Sequence, residues 1–321
     1  MKVSILGCGR WGTFLGWYSD KIGHDVTIWG RSGSKNLEEL KHTRKNKYLY
    51  LSETTKLTND LSGTIEKSDY IIISISSQHL RSLCEDIKKS NYKDKTFILC
   101  MKGIEVSTGK RLTEVFREIL GNKVNLAVWV GPGHVQSFVK RIPNCMVIDS
   151  DDKDVTDDVV KTFSSDLIRL YIGEDLIGDE LGAAAKNVIG IAAGMLDAVG
   201  YSSLKGALMA RGAREVSRLI KAMGGDEITA YGLCHLGDYE ATLFSEFSNN
   251  RRYGENFVRG TLRDDYLAEG VTTAEAIVKL SDDYNVEMPI IKGVNAVLKG
   301  ELSPHKMLKD MFLRSVKKEF Y

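Results

Sequence analysis

Two lysines stand out in the 321-residue sequence because of what surrounds them. Lys186 sits within GAAAKNVIGIAAGM, a run of small and apolar residues that reads as a tightly packed central helix. Burial disfavours an ammonium and lowers a lysine pKa towards the range useful for proton transfer, while a nearby carboxylate pulls the other way. Lys186 is therefore a candidate general acid/base; the competing reading is a lysine that snorkels to water from a core helix. Asn187 and Asp197 keep the same segment polar in places, as a helix lining a cleft would be. Lys102, followed by Gly103, closes a strand expected at residues 96–102, at the end where doubly wound folds bind ligands. The next strand ends in Gly131–His134, so two adjacent strand ends supply a cation and close-approach turns suited to a phosphate or a polarised carbonyl. His134 is the only histidine expected near this cleft. His24, His79 and His235 show no metal spacing or triad companions and read as ordinary loop or helix residues.

A third group, residues 236–255, gathers Asp238, Thr242, Ser248, Asn249, Asn250, Arg251 and Arg252 around an expected helix–loop–helix. Hydroxyls, amides and guanidinium groups ahead of a helix suit an anion, although the same composition also makes a polar surface turn. At the other end of the chain, GCGRWG follows the first apolar run and opens a helix. In that context Gly7 permits a tight turn, Gly9 lets the backbone approach a pyrophosphate, and Gly12 lets helix and sheet pack closely. The second strand ends in Trp29, Gly30 and Arg31, without the acid that an NAD-selective site places on the ribose hydroxyls. Arg31, helped by Ser32 and Ser34, could instead pair with a 2′-phosphate, which favours or at least admits NADP(H) alongside NAD(H).

These groups must be held by elements, and the first half supplies them. Apolar runs at 2–6, 25–29, 69–76, 96–102 and 125–130 read as buried strands alternating with amphipathic helices near 11–22, 34–46, 78–90 and 109–120. Repeated βα units imply a parallel sheet and an N-terminal doubly wound, Rossmann-type α/β domain. Two further strands are expected at 144–149 and 167–173, around a helix with an acidic start at 151–158. That acidic run lacks the glycine and closing glutamate of a calcium loop. Strand signals then stop, giving a dinucleotide-binding domain at residues 1–177 and an all-helical substrate domain at 178–321. Forty-four basic and 43 acidic residues leave a net charge of +1, so no general attraction for nucleic acid or anionic membrane is expected. Cys8, Cys84, Cys100, Cys145 and Cys234 form no CxxC pair, which argues for mostly reduced core residues, no zinc and no bound metal. The N-terminus lacks a secretory signal and no apolar run spans a bilayer, so a cytoplasmic protein without membrane insertion is expected.

In order along the chain, GxGxxG, Lys102–Gly103, Gly131–Pro132, Lys186–Asn187, Gly237–Asp238, Asn250–Arg252 and Glu269–Gly270 resemble the soluble NAD(P)-dependent glycerol-3-phosphate dehydrogenases of bacterial type, over essentially the whole chain. The resemblance implies interconversion of dihydroxyacetone phosphate and sn-glycerol 3-phosphate, usually towards the latter to supply glycerophospholipid synthesis, by a homodimer. It implies Lys186 as general acid/base, with Lys102 and Asp238 beside the substrate. Gly131, Gly133, Thr242, Ser248, Asn249 and Asn250 fall at substrate positions, and Arg10, Trp11, Arg31, Lys102, Val135, Asn249, Leu267 and Glu269 at cofactor positions. Two departures stand out. The family's SRNR is SNNR here, so Asn249 replaces an arginine: either phosphate affinity falls or Arg251 reaches in. GPxxAxE becomes GPGHVQS, with Val135 and Ser137 in place of Ala and Glu. A 6-phosphogluconate or β-hydroxyacid dehydrogenase also joins these domain types and places a lysine ahead of an asparagine. A non-catalytic NAD(P)H sensor would need the glycine fingerprint but no proton donor.

Overall fold

The computed structural model describes residues 1–263, 268–316, 318 and 319. In its first half the apolar runs form strands that helices cover on both faces, which removes any need for polar alternation. In chain order these are β1 (Lys2–Leu6), α1 (Arg10–Lys21), β2 (Asp25–Trp29), α2 (Lys35–Thr43), β3 (Lys56–Thr58), α3 (Leu61–Glu66), β4 (Tyr70–Ile73) and α4 (Leu80–Ile87). Then come β5 (Thr96–Leu99), α5 (Leu112–Leu120), β6 (Asn125–Val130), α6 (Val135–Val139), β7 (Asn144–Asp149), α7 (Lys153–Phe163) and β8 (Ile168–Ile172). The eight strands run in the order β3-β2-β1-β4-β5-β6-β7-β8. The order reverses between β1 and β4, which opens a crevice at their carboxyl ends. Leu6 pairs in register with Ile73, so the turns after both strands, at Gly7 and Ser74, stand side by side over that crevice.

The pleat distributes one strand to two cores. Tyr70 and Ile72 pack with Phe14, Tyr18, Trp129 and Phe163, while Ile71 and Ile73 pack with Phe97, Leu99 and Phe116 on the opposite face. Three features differ from the sequence expectation. β3 is a three-residue edge strand with no apolar run to announce it. β5 ends at Leu99, so Lys102 stands in the turn beyond the strand rather than closing it. β7 pairs antiparallel with β6, because the intervening helix α6 is only five residues long and the chain doubles back instead of crossing over. The acidic run starts a helix, with Asp152 capping α7 through the Asp154 amide at 3.0 Å.

The second half is helical: α8 (Leu176–Ala198), α9 (Lys205–Ala222), α10 (Asn249–Arg259), α11 (Glu269–Asp283), α12 (Pro289–Leu298) and α13 (Pro304–Phe312). Tight 3₁₀ turns at Glu227–Tyr231 and Leu236–Asp238 and a π turn at Glu240–Phe244 connect α9 to α10. The 23-residue α8 is the axis of this half and is buried continuously from Gly178 to Leu196. Its first turn is capped by Asp175, which also accepts from the Asp226 amide and the Thr229 hydroxyl. Small residues let α10 lie directly on α8. A Cβ on Gly194 would fall 1.9 Å from the Arg251 carbonyl oxygen, and one on Gly254 would fall 2.1 Å from that of Ile191. All five cysteines are unpaired, and Cys8, Cys84, Cys100 and Cys234 are buried. No helix among the described residues is long and apolar enough to cross a membrane.

Candidate active site

A cleft of about 850 Å³ runs from the switch point of the sheet to the flank of α8. At its sheet end the three fingerprint glycines do different work. Gly7 holds a left-handed φ of +125°, and a Cβ there would sit 2.1 Å from the Ser74 carbonyl oxygen. A Cβ on Gly12 would meet the Gly7 carbonyl oxygen at 2.0 Å, so this glycine supports the turn from behind. Gly9, the N-cap of α1, has nothing within 4 Å of its missing Cβ. The start of α1 thus borders the cleft without a side chain at Gly9 in the way, a helix N-terminus that suits a pyrophosphate. Arg10, Trp11 and Arg31 line the same end of the cleft, and the Arg31 side chain is exposed at its rim. Ser34 also lines it while capping α2. Ser32 accepts from the Asn59 amide.

At the deep end two ammonium groups converge on one carboxylate. Lys186 Nζ lies 3.0 Å from Asp238 Oδ2 and donates to Thr242 Oγ1 at 2.8 Å. Lys102 Nζ donates to the same Asp238 oxygen at 2.7 Å and to the Gly131 carbonyl at 2.7 Å. Lys186 is 9% exposed and Asp238 1%. Burial drives the Lys186 pKa down to about 8, against the pull of Asp238 and with the help of Lys102. Glu269, at the start of α11, accepts from the Ser77 amide at 3.2 Å and is pushed by burial up to about 7.

A chain of amides sets this end of the cleft. Asn187 donates to the Lys102 carbonyl at 3.0 Å, and Asn250 donates to Asn187 Oδ1 at 2.9 Å and accepts from the Gly270 amide at 3.0 Å. Ser248 caps α10 through the Arg251 amide. Because that helix begins beside Lys186, its N-terminus, with Ser248, Asn249 and Asn250, opens into the cleft and favours an anion there.

The cleft thereby brings together Gly7, Gly9, Arg10, Trp11, Arg31, Lys102, Gly133, Val135, Lys186, Asp238, Thr242, Ser248, Asn249, Asn250 and Glu269. Gly12 and Gly131 stand behind its wall, and Leu267 lies outside the described residues. Arg251 does not reach in to replace the missing arginine: its guanidinium is bound to Asp197 at 2.6 Å and to the Ser245 carbonyl at 3.1 Å. Arg252 is the residue beside Asn249, donating to its Oδ1 at 2.9 Å. Asp197, which also pairs with Lys205, does not line the cleft. His134 does line it, and burial lowers its pKa. The expectation that His134 is the only histidine near the cleft needs correction. His79 lines the cleft, and His235 is fully buried between α8 and the turn that carries Asp238. No spacing signal could reveal His235, because its partner in α8 is 53 residues distant.

Two family models match the chain. One described as NAD-dependent glycerol-3-phosphate dehydrogenase N-terminus matches residues 2–156, and the corresponding C-terminus matches residues 175–309. A glycerol-3-phosphate dehydrogenase (NAD(P)+) of Thermoanaerobacter sp. is 35% identical over 333 aligned residues, covering 100% of this chain and 99% of the relative. A protein of the same name from Clostridium botulinum is 35% identical, with 100% and 99% covered. The crystal structure of glycerol-3-phosphate dehydrogenase from Coxiella burnetii superposes with a TM-score of 0.90 at 27% identity, covering 98% of this chain and 99% of that one. Among the described residues no group of three or more metal-ligating side chains is assembled.

Proposed function

The chain belongs to the NAD-dependent glycerol-3-phosphate dehydrogenase family, and on that premise we propose that it reduces dihydroxyacetone phosphate to sn-glycerol 3-phosphate with Lys186 as the proton donor. The observation that carries this reading is the buried Lys186 ammonium, held by Asp238 and Thr242 on the floor of the cleft. When bound, a nicotinamide cofactor supplies the hydride. Lys186 then protonates the alkoxide that develops on the substrate carbonyl oxygen. Asp238 fixes the direction of that ammonium and keeps part of it charged despite burial. Lys102 adds positive potential where negative charge grows, and its bond to the Gly131 carbonyl holds it there. The N-terminus of α10, with Ser248, Asn249 and Asn250, takes the substrate phosphate. Gly7, Gly9, Arg10 and Trp11 would hold the dinucleotide phosphates, and Val135 and Glu269 would line the rest of the cofactor's site.

Arg31 at the cleft rim gives NADPH the advantage over NADH. The same reading makes the protein a cytoplasmic homodimer that supplies glycerophospholipid synthesis. Initial rates with dihydroxyacetone phosphate against NADPH and NADH in parallel test it. Turnover with this ketone and none with β-hydroxyacid partners is the expected result. Cofactor binding without turnover on any phosphorylated ketone would favour a sensor, and turnover on β-hydroxyacids would favour that class of dehydrogenase.

A further inference from the structure

His235 and Tyr239 bracket Asp238 in sequence, and both are fully buried. The His235 ring stands 2.8 Å from the Gly182 carbonyl through Nδ1 and 2.6 Å from the Tyr239 hydroxyl through Nε2. A carbonyl oxygen only accepts, so Nδ1 carries the proton; Nε2 then accepts from the hydroxyl, and the neutral ring has both nitrogens satisfied. Burial keeps it neutral, with a pKa lowered to about 4. The Gly182 oxygen is also the acceptor of the Lys186 amide in the helical ladder, one turn ahead of that residue. The ring therefore grips α8 at the turn that presents the proposed proton donor.

Two glycines on different helices make room for this arrangement. A Cβ on Gly182 would come within 2.9 Å of Cys234 Sγ and 3.0 Å of His235 Cβ, and one on Gly212 of α9 within 3.1 Å of the Tyr239 hydroxyl. The His235 carbonyl closes the short turn by accepting from the Asp238 amide at 3.1 Å. One imidazole thus ties together helix α8, the turn that carries Asp238 and the residue that follows it.

We propose that His235, bridging the Gly182 carbonyl and the Tyr239 hydroxyl, is a positioning residue that holds the Asp238 carboxylate against the Lys186 ammonium. The proposal rests on the reading of Lys186 as proton donor. Lys186 is faced by Lys102, Arg10, His134 and His235, and its anionic neighbours are Asp238 and Glu269. Asp238 raises the Lys186 pKa, whereas burial, Lys102 and Arg10 lower it. If the turn loosens and Asp238 draws back, the lowering influences dominate. The ammonium is then lost at lower pH, and the basic limb of ketone reduction moves down the pH scale.

Profiles of kcat against pH for dihydroxyacetone phosphate reduction test this in Tyr239→Phe, which removes one oxygen and keeps the ring, and in His235→Leu, which removes both bonds. We expect the basic limb to shift to lower pH in both, further in His235→Leu, with kcat at pH 8 down by about 10-fold and KM for NADPH unchanged. A limb that stays at the wild-type position overturns the proposal, even where thermal stability falls, because that is the result of a purely structural contact. Should His235→Leu fail to fold, Tyr239→Phe decides the matter alone. Lys186→Met separates the two ideas: a basic limb that survives this change refutes the proton-donor reading and the placement of His235 with it.

Discussion

On the proposed reading, Arg31 and Asn249 are the residues at which the cleft chooses what it binds. Arg31 lies at the exposed rim, two residues beyond the end of β2. A charge-assisted bond from a guanidinium to a phosphate contributes about 1.5–3 kcal/mol. Arg31→Ala should therefore raise KM for NADPH by about 10-fold or more while leaving the NADH rate nearly unchanged. Equal losses with both cofactors in steady-state assays would remove Arg31 from any role in selecting the 2′-phosphate. Asn249 offers only an amide at the start of α10, and the nearest guanidinium contact is Arg252 rather than Arg251. The tight turn at Gly7 and the helix start at Gly9 were legible because a turn after a strand is a local event. His235 was not. Its function depends on meeting a carbonyl far away in the chain, and an isolated histidine carries no periodicity that announces such a partner.

At the scale of elements, the cleft exists because α10 lies against α8 with backbone nearly touching backbone. At Gly194 and Gly254 an added Cβ would run into the backbone of the other helix. A methyl group at Gly254 has only the Ile191 carbonyl to displace, so Gly254→Ala forces the helices apart and costs about 1–3 kcal/mol. Thermal denaturation should show a lower midpoint. Raised KM for dihydroxyacetone phosphate should accompany it, since Ser248, Asn249 and Asn250 move with α10. A variant with unchanged midpoint and KM would mean that the helices have slack to spare. The alternation of strand and helix was readable up to β6 because fully buried strands are continuous apolar runs. β3 was hidden by its three-residue length, and the antiparallel turn into β7 by an inserted helix too short to leave a helical pattern.

The whole molecule places the cleft at a junction, with the sheet end supplying the proposed phosphate cradle and α8 supplying the Lys186 ammonium. Neither half holds the Lys102–Asp238–Lys186 cluster alone, because Lys102 follows β5 while Asp238 and Lys186 belong to the helices. The change of periodicity near residue 176 made the two halves visible in the sequence, but not that Asp238 would be shared by both lysines. With Lys186 as the proposed proton donor, reduction needs its ammonium, so the rate should fall as pH rises through about 8; oxidation needs the free amine and should rise over the same range. The most direct test is Lys186→Ala, assayed for turnover of dihydroxyacetone phosphate and for NADPH binding in the same preparation. The account predicts a loss of about 10²–10⁴-fold in kcat with NADPH affinity nearly intact. Near-normal turnover with a wild-type pH profile would contradict it.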